Sequence, residues 1–319
     1  MSEIPYPKTL TEFNSQFSTE EACRQYLAQL RWPSGFKCPK CVSSNAWLTK
    51  RGVMHCTSCG HQTSITAGTL FHRSRSPLQL WFHAIWWITA QKNGASALGL
   101  QRILGLGSYE TAWTWLHKLR RAMVIPGREQ LNDEVEIDET FVGGPGNKGK
   151  GNYAGEKMIV IIAAEIRGNA IGRIRLRCIE DTSAESLITF VKDVVAPGAT
   201  VVTDGLLAYR HGLIDAGYIH QPRVVSNSGK AAHTLLPRVH RIASLLKRWI
   251  LGTHQGRADR AHLPYYLDEF TFRFNRRTSD HRGLLFYRLL QQAVALEPVP
   301  YNKITGGRGI HKLQDVGTT

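Results

Sequence analysis

The sequence predicts an α/β fold in which a mixed-sheet domain follows a small metal-built module and a helical region. Three observations carry this reading. Cysteines pair as Cys38-Pro-Lys-Cys41 and Cys56-Thr-Ser-Cys59. Segments with helical periodicity, rich in Leu and Trp, run from Pro77 to Met123. From Val135 onward, runs rich in Val and Ile alternate with helical stretches, the order of a sheet with helices on its faces.

The first element is a helical lead over residues 1–30, where Leu10, Phe13, Tyr26 and Leu27 recur with helical spacing among acidic residues. A zinc ribbon follows over residues 31–72. Each C-x-x-C turn supplies two thiolates from one knuckle, and the four together complete a tetrahedral shell with Zn–S arms of about 2.3 Å. Between the pairs, Ala46–Leu48 and Val53–His55 flank a polar turn at Thr49–Gly52 and read as a hairpin. Gln62–Phe71 supplies a closing strand. His55 and His61 stand beside the ligands, although four cysteines already fill the shell. The absence of a preceding signal peptide argues for zinc rather than disulfides and for a cytoplasmic protein. Cys23 and Cys178 read as ordinary thiols.

Residues 76–124 form the helical region. Ser76-Pro77 offers a helix start, with Ser at the cap and Pro in the first turn. Breaks at Lys92-Asn-Gly94 and Gly105-Leu-Gly107-Ser108 leave Ala95–Leu104 and Tyr109–Met123 as a helix-turn-helix-like pair. Its second helix ends in Lys118, Arg120 and Arg121, expected to meet DNA; the bland reading is a packing unit between two domains.

The mixed-sheet domain is placed at 130–295, with a C-terminal tail at 296–319. Strands are expected at Val135–Glu139, Lys157–Glu165, Arg173–Ile179, Ala199–Asp204 and Tyr218–Val225, with helices at Ala184–Val195 and Leu236–Leu251. The loop Gly143–Gly151 is Gly-rich and basic but lacks the residue order of a phosphate-cradling P-loop.

The chain has 319 residues, 42% of them hydrophobic, and a formal net charge of +15. This is globular composition with a basic excess spread along the chain, and a polyanion is its natural partner. The most apolar segment, Leu78–Ala90, is too short to span a bilayer and carries His83 and Gln79. No nucleophile elbow or paired-base motif surrounds Cys178 or the serines, which argues against covalent nucleophilic chemistry.

Asp138 and Asp204 close two expected buried strands, where ionised carboxylates are costly unless a cation compensates them. If strands one and four are neighbours, both acids project at one sheet edge, and a divalent cation would relieve their repulsion. Magnesium, with oxygen ligands and open positions for phosphates, fits that arrangement. Glu134 and Glu136 share the face of Asp138, while Glu139 points to the other.

Five blocks in order resemble the zinc-ribbon transposases of bacterial insertion sequences, the insertion sequence 1595 family. They are Cys38–Cys59, Val135-Glu-Ile-Asp-Glu-Thr-Phe-Val-Gly-Gly144, Val202-Thr-Asp-Gly205, Leu245-Leu-Lys-Arg-Trp249 and Phe270–Arg277. The resemblance covers about residues 15 to 295. It implies a ribonuclease H-like catalytic domain, with Asp138 and Asp204 as its first two metal-binding acids. The family's third catalytic position lies seven residues before a helical lysine; here Lys247 points back to His240, where family members usually carry Glu or Asn. His240 and Lys247 should share a helix face with Ser244 between them, beside an apolar stripe of Val239, Ile242, Leu246 and Trp249.

His240 could ligate a metal, orient a water or contact phosphate, and imidazole suits manganese better than magnesium. Glu269 is the reserve acid. Lys247 is expected on a phosphate near the scissile bond, with Lys230, Arg241 and Arg248 extending that track and Arg273, Arg276 and Arg277 also facing DNA. The implied activity is a metal-dependent transposase: it binds terminal inverted repeats, cleaves phosphodiester bonds and joins 3′-hydroxyl ends to target DNA, as a homo-oligomer on double-stranded DNA. The rivals are a catalytically dead DNA-binding regulator, which a non-acidic His240 keeps in play, and a nuclease without strand transfer.

Overall fold

A computed structural model describes residues 4–125, 127–143, 157–224, 232–256 and 258–305. The chain divides into two compact units, Met1–Ile125 with Thr278–Thr319, and Pro126–Arg277. Among the described residues no helix is long and apolar enough to cross a membrane.

The first unit opens with α1 (Leu10–Gln16) and α2 (Glu20–Arg31), each started by a threonine whose hydroxyl accepts a first-turn N–H: Thr9 from Glu12 and Thr19 from Ala22. The ribbon is a three-stranded antiparallel sheet of β1 (Ala46–Leu48), β2 (Val53–Cys56) and β3 (Gln62–Ser64). Gly52 turns the hairpin at φ +73°, a conformation that disfavours any side chain with a Cβ. The Arg31 guanidinium donates to the carbonyls of Ser64, Ile65 and Ala67, so the end of α2 anchors the segment after β3.

Helix α3 (Leu78–Ala90) differs from expectation at its start. The cap position is Pro77, which offers no hydroxyl, and Ser76 does not take that part. Instead the Glu20 carboxylate on α2 accepts the N–H groups of Leu78 and Gln79, both at 3.0 Å. A long-range acid thus satisfies orphan donors that a local serine was expected to cover. Helices α4 (Ala97–Leu104) and α5 (Tyr109–Arg121) form the expected pair, capped by Ser96 and Ser108 and joined through left-handed Gly105. Trp81 of α3 stacks on Trp115 of α5, with ring centroids 3.8 Å apart.

The sheet domain was expected to run to residue 295, but the second unit closes at Arg277. Two later helices are α11 (Arg282–Ala295) and α12 (Tyr301–Thr305), and α11 packs on α2 and α3 of the first unit. The reason is its aromatic complement: Phe286 meets Phe13, Phe17, Phe82 and Trp86. Gly283 is required there, because a Cβ would collide with the Pro7 carbonyl.

The second unit is built on β4 (Glu134–Val142), β5 (Met158–Arg167), β6 (Ala170–Ile179), β7 (Thr200–Thr203) and β8 (Ile219–Pro222), in the spatial order β6-β5-β4-β7-β8. The first three pair antiparallel, while β7 and β8 run parallel to β4. The last strand is shorter than expected and ends at Pro222; Val225 lies outside the described residues. One sheet face packs through Val135 and Ile137 on α6 (Ala184–Val194) and α7 (Leu207–Asp215). The other packs through Val142, Val160 and Ile162 on α9 (Pro237–His254), which follows the short α8 (Ala232–Leu235), and on α10 (Leu263–Asn275). Val239, Ile242, Leu246 and Ile250 form the buried stripe of α9. Each such side chain stabilises the docking by roughly 1.5–3 kcal/mol.

Candidate active site and metal centres

Alternation along β4 sorts its acids. Val135 and Ile137 enter the core with α6 and α7, so Glu136 and Asp138 face α9. The parallel register pairs Glu134 with Thr200 and Glu136 with Val202, so Asp204, just past the end of β7, falls one step on beside Asp138. His240, on the first turn of α9, reaches the same place: its Nε2 lies 3.6 Å from Asp138 Oδ2.

The acids crowd one another. Burial is the main cause that raises the Asp138 pKa, with Asp204 and Glu136 adding to it, against the Glu139 N–H and His240. Glu139 points to the opposite face, where it accepts the buried Tyr209 hydroxyl of α7. Burial pushes Glu139 up to about 7; the Tyr209 hydroxyl opposes this, while Asp138 and Asp204 reinforce it. Backbone donors orient the two aspartates, Glu139 N–H to Asp138 Oδ1 at 2.8 Å and Leu206 N–H to Asp204 Oδ1 at 2.9 Å. Two part-buried carboxylates that repel each other, with an imidazole beside them, are a donor set that fits a divalent cation, manganese more readily than magnesium.

Lys247 lies two helical turns beyond His240, with Ser244 between; Arg241, Ser244, Lys247 and Arg248 are all exposed. Lys230 lies outside the described residues. Glu269 does not join the acids: its carboxylate is fully buried and held by Arg273 at 2.8 Å. That pairing also corrects the expectation for Arg273, whose head is committed to a buried acid. Arg276 lies over Phe272 and Arg277 over Phe274, and Arg277 donates to the Ile171 and Gly172 carbonyls. In the helix pair, Arg120 is 2% exposed and donates to the Ala95 carbonyl, so it faces the core instead of a DNA groove. Lys118 is half-buried, and Arg121 donates to the Glu297 carbonyl. A helical period places every third or fourth residue inward, and Arg120 falls one position after buried Leu119 on that inward arc.

The ribbon presents a closed centre. Among the described residues, the Sγ atoms of Cys38, Cys41, Cys56 and Cys59 all lie within 4.8 Å of one another, and Asp138, Asp204 and His240 form no set so compact. Cys38–Cys59 and Cys41–Cys56 are 3.6 and 3.5 Å apart, against about 3.8 Å for the edge of a tetrahedron with zinc–sulfur arms of about 2.3 Å. Burial opposes ionisation of Cys56, but the N–H groups of Cys59 and Ser58 and the neighbouring thiols outweigh it and bring the thiol down to about 6. The four fit zinc. His55 is turned aside, with Nδ1 3.3 Å from Gln62 Nε2. Cys23 is buried and pushed up to about 12 mainly by that burial, an inert thiol.

Two residues of this region carried no signal as site residues. Glu136 was legible only as a neighbour of Asp138, and Tyr209 only as a residue of α7.

Comparison with known proteins covers the regions that hold both sets of residues. Residues 130–275 match the family described as ISXO2-like transposase domain, and residues 18–62 match the transposase zinc-ribbon domain. The second match takes in α2, which the ribbon boundary at residue 31 had left out. An uncharacterized protein in transposable element ISH50 of Halobacterium salinarum is 27% identical over 282 residues, 81% of this chain and 91% of that protein.

Proposed function

Since the chain belongs to the zinc-ribbon transposases of the insertion sequence 1595 family, we propose that it cuts phosphodiester bonds at the ends of a mobile DNA element and joins the freed 3′-hydroxyl groups to target DNA. The observation that carries this is the convergence of Asp138, in the middle of β4, and Asp204, just past β7, with His240 of α9 alongside. We read the Pro126–Arg277 unit as ribonuclease H-like. Support comes from its order of three antiparallel strands followed by two parallel ones, with helices on both faces.

Asp138 and Asp204 would hold the cations, with the His240 imidazole as third donor. Divalent cations so held supply a water nucleophile at neutral pH and stabilise the leaving oxygen. The rest falls to the protein. The Glu139 and Leu206 N–H groups fix the direction of the two carboxylates, and the buried α9 stripe sets the height of His240 above Asp138. Lys247 takes a phosphate near the scissile bond, and exposed Arg241 and Arg248 continue the positive track. The net charge of +15 favours DNA of any sequence, so the choice of terminal repeats rests on base contacts elsewhere. Pairing two element ends calls for more than one such site, hence a homo-oligomer on DNA.

The test is strand transfer with purified protein, labelled flanks of its own gene, a supercoiled target, and magnesium or manganese. Joined products that vanish in Asp204→Asn and His240→Ala are expected. Tight flank binding without cleavage in either metal would instead favour a DNA-binding relic, the reading to which a non-acidic third position lends weight. Cut but unjoined products would make it a nuclease.

A further inference from the structure

We propose that Glu136 is a positioning residue that holds the first turn of α9 so that His240 stands against Asp138. The inference rests on the metal-site reading above and assigns a role to a residue outside the reacting set.

Glu136 is completely buried, and a carboxylate there is costly unless its oxygens are taken up by donors. Three donors take them. Oε2 accepts the N–H groups of Arg238 at 2.8 Å and Val239 at 3.1 Å, and Oε1 pairs with Arg238 Nη1 at 2.8 Å. Helix α9 needs such a partner, since it opens with Leu236 at the cap and Pro237 in the first turn and has no side-chain cap of its own. Its first N–H groups would otherwise be orphaned, and an acid at that end also suits the helix dipole.

Arg238 extends the attachment. Its Nε lies 3.4 Å from the Ala170 carbonyl and its Nη2 donates to the Gly168 carbonyl, both at the turn between β5 and β6. The helix start is thereby tied to β4 and to a neighbouring hairpin at once.

The geometry links this attachment to the metal site. Glu136 and Asp138 are consecutive residues on one face of β4, about 6.8 Å apart along the strand. Arg238 and His240 stand two residues apart in the first turn of α9, with Val239 between them, and each meets one of the two acids, Arg238 with Glu136 and His240 with Asp138. The apolar stripe of α9 supplies adhesion, which is not directional. Hydrogen bonds to a fixed carboxylate are directional, so they set where along its axis the helix stops.

A cycle of variants in the zinc-loaded full chain tests this, with Mn2+ binding read by calorimetry. Mn2+ binding lost in Asp138→Asn marks the site. Glu136→Gln is expected to weaken it about 10-fold, the usual scale for residues that orient a ligand. In a His240→Ala background the same substitution should change affinity by less than about twofold, because the group it positions is gone. A general structural role predicts equal losses in both backgrounds, and that result would overturn the proposal. Wild-type chain with no Mn2+ site sensitive to Asp138→Asn would sink the metal-site reading itself and Glu136 with it. If circular dichroism shows Glu136→Gln unfolded, Glu136→Asp, which keeps the charge but shortens its reach to the helix N–H groups, runs through the same cycle with the same two outcomes. In DNA cleavage the expected signature is a lower kcat with KM for DNA unchanged.

Discussion

The two candidate metal-ligand sets of this chain are built in opposite ways. Four thiols of the ribbon come from two adjacent knuckles, lie within 4.8 Å of one another and complete a shell by themselves. The acid set comes from the middle of one strand, the residue after another and the first turn of a helix, and it is wider. A closed shell has nothing left to offer a substrate, whereas the acid set, with carboxylates crowded together and exposed lysine and arginine side chains beside it, leaves donors uncommitted. The difference separates a centre that makes a fold from a centre that uses one.

Removing the ribbon's metal is the harshest way to break that contrast. Structural zinc is worth on the order of 10–16 kcal/mol to small zinc-built modules. Cys56→Ser should therefore abolish zinc content by mass spectrometry and open residues 31–72 to limited proteolysis. A protease-resistant ribbon in that variant would show that hydrogen bonds such as those of Arg31 suffice, and the contrast would fail.

A finer test concerns charge crowding at the acid set. Glu139 is raised to about 7 from an ordinary value near 4.5, so the folded chain keeps this proton longer than the unfolded chain does. Its contribution to stability is fully present below about pH 4.5 and is lost as pH rises through about 7. Urea midpoints of wild type should fall relative to Glu139→Gln between pH 5 and pH 8, with Mn2+ reducing the gap. Parallel midpoints across that range would mean that burial and the neighbouring acids do not hold Glu139 against ionisation.

The smallest effect separates exposed cations from committed ones. Lys247→Ala should weaken DNA binding and lower its salt slope by about 1. Arg273→Ala should leave the slope unchanged and destabilise the chain by about 3–5 kcal/mol, since Glu269 would be left charged and buried. A slope change in Arg273→Ala would place that guanidinium on DNA after all.

The same contrast governs what could be read from residues alone. Cysteine spacing is a local property, so the ribbon, its hairpin and its turn at Gly52 were legible. The strands and α9 were legible from period, but β4 runs on to Val142, so Asp138 sits in mid-strand instead of closing it as expected. What escaped depends on partners distant in sequence. Glu20 caps α3 in place of Ser76, Arg120 turns to the core to meet the Ala95 carbonyl, and α11 joins the first unit because Phe286 meets Phe13 and Phe17. None of these partners lies close enough in the chain for pattern to announce it. Glu136 is the clearest instance, since its face was predictable and its partner, the start of a helix about a hundred residues later, was not.

The return of α11 to the first unit has a bearing on biosynthesis. A ribosome releases Phe13, Phe17, Phe82 and Trp86 long before Phe286, so the aromatic core of the first unit waits, half-covered, while the whole sheet unit is made. A message cut short anywhere before residue 286 therefore yields a chain with an open aromatic face, the kind of surface that chaperones and proteases seize. Only translation through α11 seals it.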